Sequence, residues 1–234
     1  MGHISYPGDE LELFARADRW KSYFADLLRP HIGGDVLEVG AGIGETTAHL
    51  LDDRARRWTC LEPDPRLSSR IEERVPAAMR PRVRVVTGTI QDLDPAERFD
   101  AVLYIDVLEH IADDVAELRR AAQVLRHDGR LIVLAPAFDF LYSPFDEAIG
   151  HYRRYTRRTL ARVFPPGMRR RVLRYADSVG FVLSLGNRLL LRRSMPTEKQ
   201  VAFWDRRVIP ISRITDRLLS PLVGRSVIAV FSRS

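Results

Sequence analysis

Val36-Leu37-Glu38-Val39-Gly40-Ala41-Gly42-Ile43-Gly44-Glu45 is the stretch that decides the fold. Val36 to Val39 reads as a short buried strand, the glycines as a tight turn, and Thr46 to Leu51 as a helix. That order puts the turn at the C-terminal end of a first strand. In an open parallel sheet this edge binds ligands, and glycine there lets backbone approach a ligand closely.

Outward from this unit the same rhythm repeats. Strands are predicted at Arg57–Leu61, Val83–Val86, Ala101–Ile105 and Arg130–Leu134, with helices at Pro65–Val75 and Asp113–Leu125. Strands alternating with helices predict a Rossmann-like, mainly parallel α/β sheet with helices on both faces. Upstream, Glu10 to Leu28 reads as one or two amphipathic helices. Downstream, residues 136–158 read as an irregular loop leading into a helix at Arg157–Val163. A strand at Val172–Tyr175, helices at Phe181–Leu191 and Val201–Leu219, and a closing strand at Ser226–Phe231 follow. Pro210 is expected to kink or interrupt the longer helix. No repeat or linker marks a second domain.

Composition narrows the classes. Hydrophobic residues make up 45% and charged residues 29%, which argues against global disorder. Cys60 is the one cysteine, so a disulfide within the chain and a four-cysteine zinc ribbon are excluded. No apolar run approaches the ~20 residues of a membrane span. Met1-Gly2-His3-Ile4 begins no signal segment, so a cytoplasmic location is expected. Residues 151–234 carry 19 Lys and Arg against 4 Asp and Glu, while residues 1–150 carry 18 against 27. That asymmetry suits an anionic partner or a solvated basic face.

The loop itself selects against phosphate. It reads G-x-G-x-G, with Glu45 where the dinucleotide fingerprint has its third glycine, and Glu38 stands two residues ahead. A pyrophosphate would meet carboxylates on both sides. A cation is favoured, and S-adenosylmethionine carries a sulfonium and an ammonium. Glu62, 22 residues after Gly40, is placed to accept ribose hydroxyls. Gly88-Thr89-Ile90 is placed to face an adenine edge.

With these residues assembled, the chain resembles the class I S-adenosylmethionine-dependent methyltransferases. The resemblance rests on Val36–Gly44, Leu61-Glu62-Pro63-Asp64, Gly88-Thr89-Ile90, Phe99-Asp100 through Ile105-Asp106-Val107-Leu108-Glu109-His110-Ile111, and the Asp128-Gly129-Arg130 turn. It covers roughly residues 10–135. It implies a seven-stranded sheet with an antiparallel edge, residues 10–135 as the cofactor-binding core, 136–222 as acceptor loop and helical insertion, and 223–234 as the last strand of one domain. S-adenosylmethionine is the implied cofactor. Glu38 and the loop residues Gly40, Ala41, Gly42 and Gly44 are assigned to its methionine part, Glu62 to its ribose, and Thr89 and Ile90 to its adenine. Pro63 and Asp106 are further cofactor-site candidates, as is Trp20, on a helix that either closes over the cofactor or, the favoured reading, packs on the sheet. Thr89 departs from the Asp that many members have there. A looser likeness of Gly150–Tyr155 and the later helices points to bacterial secondary or envelope biosynthesis.

The reaction side rests on the residues after the fourth and fifth strands. Methyl transfer is an in-line displacement, and a base is needed only if the acceptor must lose a proton. A histidine suits that task near neutral pH, so His151 is the first candidate and His110 the second. Tyr152, Arg153, Arg154 and Tyr155 are candidates for holding a small-molecule acceptor, anionic if the arginines bind it. They read equally as exposed residues, or as partners of Asp146 and Glu147. Asp106-x-x-Glu109-His110 is similar to the E-x-x-E-H metal site of ubiquinone-pathway O-methyltransferases. Helix capping explains it without metal, and none is expected.

Val201 to Leu219 reads as a substrate lid or homodimer interface in preference to a membrane-surface helix. The second function class is a membrane-surface or nucleic-acid-associated binding protein using the basic C-terminal third. No recognition-helix pattern or RNA-binding aromatic motif supports nucleic acid.

Overall fold

The computed structural model describes residues 9–190 and 196–233. Met1–Ile4 and Leu191, the expected end of one helix, lie outside the described residues. Seven strands form one sheet: β1 (Gly34–Val39), β2 (Ala55–Glu62), β3 (Val83–Thr87), β4 (Phe99–Ile105), β5 (Leu125–Pro136), β6 (Arg169–Ala176) and β7 (Ser226–Ser232). Their order is β3-β2-β1-β4-β5-β7-β6. The first five are parallel, and β7 runs antiparallel to both β5 and β6.

The strand period of two divides the core. Val36, Leu103, Ile132 and Ile228 point to one face, and Leu37, Val102, Leu131 and Ala229 to the other. Helices Asp18–Leu28, Glu198–Phe203 and Ile209–Leu219 contribute Trp20, Phe24, Val201 and Ile209 to the first face. Helices Asp114–Gln123 and Arg157–Val163 contribute Leu118 and Leu160 to the second. Both faces are covered, so the central strands are apolar throughout rather than alternating.

Three elements differ from the periodicity. The helix expected over Pro65–Val75 is two short ones, Pro65–Ser68 and Ile71–Arg74. The Asp128-Gly129 turn is absorbed into β5, which pairs Leu125 with Phe99 and then shifts register to pair Arg130 with Ala101. The expected Val201–Leu219 helix contains a five-residue π turn, Trp204–Val208, after which Pro210 falls in the first turn of Ile209–Leu219. Proline has no N–H to give the carbonyl four residues back, and the wider turn accommodates its ring.

Strand order reverses between β1 and β4, so a crevice opens beyond their carboxyl ends. Because β7 is antiparallel, its first residue, Ser226, pairs with Pro136 at the end of β5. That brings Arg225 to the same edge.

Candidate active site

The glycine loop leaves β1 hard against the turn after β4. Gly40 has φ +69°, and a Cβ there would lie 2.6 Å from Val107 Cγ2, so only glycine fits. The Gly40 and Ala41 amides donate to the Leu61 carbonyl at 2.7 and 3.2 Å. The Gly42 amide donates to Glu62 Oε2 at 2.9 Å, while Glu62 Oε1 accepts from the Asp64 amide at 3.0 Å. Glu62 therefore pins the loop. Each of its oxygens keeps one further lone pair.

A cavity of about 230 Å³ lies between this loop and the segments after β4 and β5. Trp20, Gly40, Ala41 and Gly42 line one part, and Asp106, Glu109, His110, His151 and Arg154 another. Phe14 packs on Phe145 and Trp204 at ring distances of 6.2 and 6.3 Å. These three rings also line the cavity and give it apolar walls.

His151 and His110 meet edge to face at 4.5 Å. His151 Nδ1 lies 2.8 Å from Asp146 Oδ1. Arg154 forks onto both Asp146 oxygens at 2.8 Å, and Ser143 adds two more hydrogen bonds. Burial opposes the charge on Asp146, yet the His151, Arg154 and Ser143 hydrogen bonds hold its pKa well below the usual carboxylate range. An ionised carboxylate can only accept, so His151 Nδ1 carries a proton toward it, and Nε2 is the ring nitrogen left for other partners. That Nε2 is 3.8 Å from Glu109 Oε1. Burial, and then His151 beside it, push His110 down to about 4. Asp106, at φ +53°, is exposed and lines the cavity. Burial and the neighbouring Asp106 raise Glu109.

Several expected site residues stand elsewhere. Glu38 is sealed beneath the loop: its Oε2 accepts from Thr47 Oγ1 at 2.6 Å and Trp58 Nε1 at 2.8 Å, and burial pushes its pKa up to about 7. It supports the loop from below instead of lining the cavity. Gly44, Glu62, Pro63, Thr89 and Ile90 also lie off the cavity wall. The Thr89 amide and hydroxyl both go to Asp92 Oδ2, at 2.7 and 2.8 Å, capping a short 3₁₀ turn, and Ile90 is packed in the core.

On the acceptor side, Tyr155 is buried and gives its hydroxyl to Asp114 Oδ2 at 2.8 Å, the oxygen that Arg153 also reaches at 2.8 Å. Tyr155 and Arg153 thus tie the loop to helix Asp114–Gln123 and do not face the cavity. Tyr152 is exposed, also away from the cavity wall. Arg154 lines the cavity while paired with Asp146.

Sequence reasoning offered Asp146 as a partner of the arginines, as Arg154 shows, but missed Lys21, Trp204, Arg225 and the bond from His151 to Asp146. Lys21 Nζ donates to the Phe14 and Ala15 carbonyls and lies 3.9 Å from Glu45 Oε2. Arg225 stacks over Trp204 at 4.5 Å. Neither belongs to a motif; only the antiparallel β7 brings Arg225 to this edge.

Comparison with known proteins agrees with this arrangement. Residues 37–131 match the family described as Methyltransferase domain. A ubiquinone biosynthesis O-methyltransferase of Bradyrhizobium sp. (strain ORS 278) is 49% identical over 45 residues, 19% of this chain and 18% of that protein. A probable S-adenosylmethionine-dependent methyltransferase of Mycobacterium tuberculosis (strain ATCC 25618 / H37Rv) is 33% identical over 103 residues, 44% of this chain and 35% of that one. The matched segments thus span well under two thirds of these relatives. Geranyl diphosphate methyltransferase in complex with S-adenosylmethionine has the same fold, with TM-score 0.63 at 15% identity over 100% of this chain and 93% of that one. So does the N-methyltransferase NodS of Bradyrhizobium japonicum WM9, with TM-score 0.57 at 14% identity, covering 94% and 96%. Residues 37–131 thus match a methyltransferase domain, and the fold is shared with solved methyltransferases, one of them holding S-adenosylmethionine.

Proposed function

We propose that this chain transfers the methyl group of S-adenosylmethionine to an oxygen or nitrogen of a small-molecule acceptor. The observation that carries the reading is one cavity with two chemically distinct parts. The glycine loop and Trp20 receive the methionine part, and the ribose extends past the cavity wall to Glu62, which is bonded to the Gly42 amide of that loop and takes the hydroxyls on its remaining lone pairs. The acceptor enters beside Asp106, His110 and His151. The acceptor atom bonds to the methyl carbon as the sulfur–methyl bond breaks, releasing S-adenosylhomocysteine. His151 serves the acceptor side as general base or orienting group, because it lines the cavity and its Nε2 is not bonded to Asp146. Apolar walls exclude water from the transfer. Calorimetric titration with S-adenosylhomocysteine, beside duplex DNA, tRNA and anionic vesicles, tests the reading. Binding of S-adenosylhomocysteine without nucleic-acid binding is expected; no binding of it would overturn the proposal.

A second reading concerns where the acceptor comes from. The outer face of Ile209–Leu219 exposes Ile211, Ile214 and Leu218 at 52%, 66% and 82%, with Arg213 and Arg217 between them. An exposed apolar stripe flanked by arginine supports peripheral contact with an anionic lipid surface. Among the described residues no helix is long and apolar enough to cross a membrane. Flotation with phosphatidylcholine vesicles, with and without phosphatidylglycerol, tests this contact. Recovery only with the anionic lipid is expected, and recovery with neither removes it.

A further inference from the structure

The lysine and arginine side chains on the cavity wall are Lys21, Arg154 and Arg225. Lys21 is engaged by the Phe14 and Ala15 carbonyls, and Arg154 by Asp146. Arg225 is different. Among the described residues its guanidinium has no hydrogen bond and no ion pair, and the hydroxyl of Ser226, which lines the cavity next to it, has none either. A guanidinium offers five N–H donors in a planar fork, and a half-buried one is rarely left without an acceptor. The fork is also held in place. Arg225 stacks over the Trp204 ring at 4.5 Å. Asp177 fixes both partners: its carbonyl accepts from the Arg225 amide at 2.9 Å, and its carboxylate from the Trp204 indole at 2.7 Å. That carboxylate is fully buried and accepts also from the Ser212 hydroxyl at 2.6 Å and the Gly180 amide at 2.9 Å. A guanidinium stacked on a ring keeps its N–H edge for an oxyanion.

We infer that Arg225 and Ser226 form the subsite for a carboxylate carried by the methyl acceptor. The inference rests on the acceptor-side reading above and narrows it from any small molecule to an acid. Placement puts the pair on that side. β4, β5 and β7 succeed β1 in the sheet, so Ser226 at the head of β7 stands three strand spacings, ~14 Å, from the end of the strand that carries the glycine loop. Charge selects a carboxylate over a phosphate monoester. One cation without an acceptor matches one negative charge, whereas a phosphate monoester brings about −1.5 to −2 and meets Asp106 on the same wall. The rings of Phe14, Phe145 and Trp204 suit an apolar or aromatic body behind the carboxylate. The carboxylate is thus a handle. Held by the Arg225 fork and the Ser226 hydroxyl, it fixes the acceptor, while the oxygen or nitrogen to be methylated lies at the far end, beside His151.

The test titrates the full chain, saturated with S-adenosylhomocysteine, with benzoate, its uncharged isostere benzamide and inorganic phosphate. Benzoate is expected to bind at least ~10-fold tighter than either of the others, and Arg225→Gln should weaken it by at least the same factor. Indole NMR of the wild type guards against a variant that fails to fold: benzoate should shift the Trp204 signal and leave Trp58, bonded to Glu38 beneath the glycine loop, unmoved. S-adenosylhomocysteine affinity without benzoate is measured on both proteins and should be equal. Its loss in Arg225→Gln at unchanged melting would make Arg225 a cofactor residue and overturn the subsite alone. Its absence in the wild type would overturn the methyltransferase reading, and the benzoate titration of the unliganded chain would then decide the carboxylate subsite by itself. No benzoate binding at ~20 mM, equal affinity for benzamide or phosphate, or wild-type affinity in Arg225→Gln overturns the subsite.

Discussion

The Trp20 backbone amide donates to Asp205 Oδ1 at 2.9 Å, across 185 residues of sequence. The Arg19 amide reaches the other oxygen at 3.3 Å. Helix Asp18–Leu28 has no side-chain cap of its own at Ala17, so a carboxylate from the π turn supplies it in trans and meets the positive end of the helix. This bond locks the C-terminal helices onto the N-terminal one at the cavity, where Trp20 and Trp204 stand 5.8 Å apart.

Asp205→Ala should therefore loosen two walls of the cavity at once. Loss of a charge-assisted hydrogen-bond pair costs ~1.5–3 kcal/mol. Thermal denaturation should show a lower Tm, with S-adenosylhomocysteine affinity reduced. Unchanged Tm and affinity would mean that the trans cap contributes nothing.

Glu62→Ala removes the acceptor of the Gly42 amide and, on the proposed reading, that of the ribose. The expected loss in S-adenosylhomocysteine affinity is ~1.5–3 kcal/mol, or roughly ten- to more than a hundredfold. Calorimetry on a variant that keeps its melting behaviour measures it. Equal affinity removes Glu62 from the cofactor site.

Glu38 gives a pH signature. An exposed glutamate in the unfolded chain titrates near ~4.3, whereas burial pushes the folded value up to about 7. Between these values the folded chain binds more protons, so this residue lowers stability progressively as pH rises, and its penalty is complete above about 7. Glu38→Gln keeps an acceptor for Thr47 and Trp58 without the titration. Its Tm relative to wild type should rise between pH 5 and 8.5, measured without ligand. A constant difference across that range contradicts a buried, titrating Glu38.

The strand–glycine–helix unit was legible because each of its signals is local. Val36, Leu37 and Val39 are apolar, Gly40 answers to one backbone angle and one contact with Val107, and the helix Glu45–Leu50 follows directly. What stayed hidden is set by contacts between distant segments. Glu38 and Glu62 carry the motif, but whether their carboxylates face a ligand depends on Trp58, Thr47 and the Gly42 amide. The run His151 to Tyr155 reads as one patch, yet it alternates between the cavity (His151, Arg154) and the Asp114 anchor (Arg153, Tyr155). Arg225 belongs to no motif, because only the reversed β7 carries it to the site.

His151 separates the two sides of the reaction most cleanly. The residues assigned to the cofactor come from the first half of the sheet and from Trp20, while His151 is held by Asp146 and Arg154, both beyond β5. Removing its ring leaves the Gly40–Gly42 loop and the bonds to Glu62 untouched. His151→Ala should thus keep S-adenosylhomocysteine affinity nearly unchanged and lower kcat by ~10²–10⁴-fold, the range for loss of a positioned proton acceptor. Asp146→Asn offers Nδ1 a side chain that can donate as well as accept, and releases Nε2 from its fixed orientation. It should lower kcat in the same direction by a smaller factor, again with cofactor affinity preserved. Single-turnover kinetics beside calorimetry measure both. Weakened cofactor binding at full stability would move His151 to the cofactor side, and unchanged turnover would leave it a purely structural partner of Asp146.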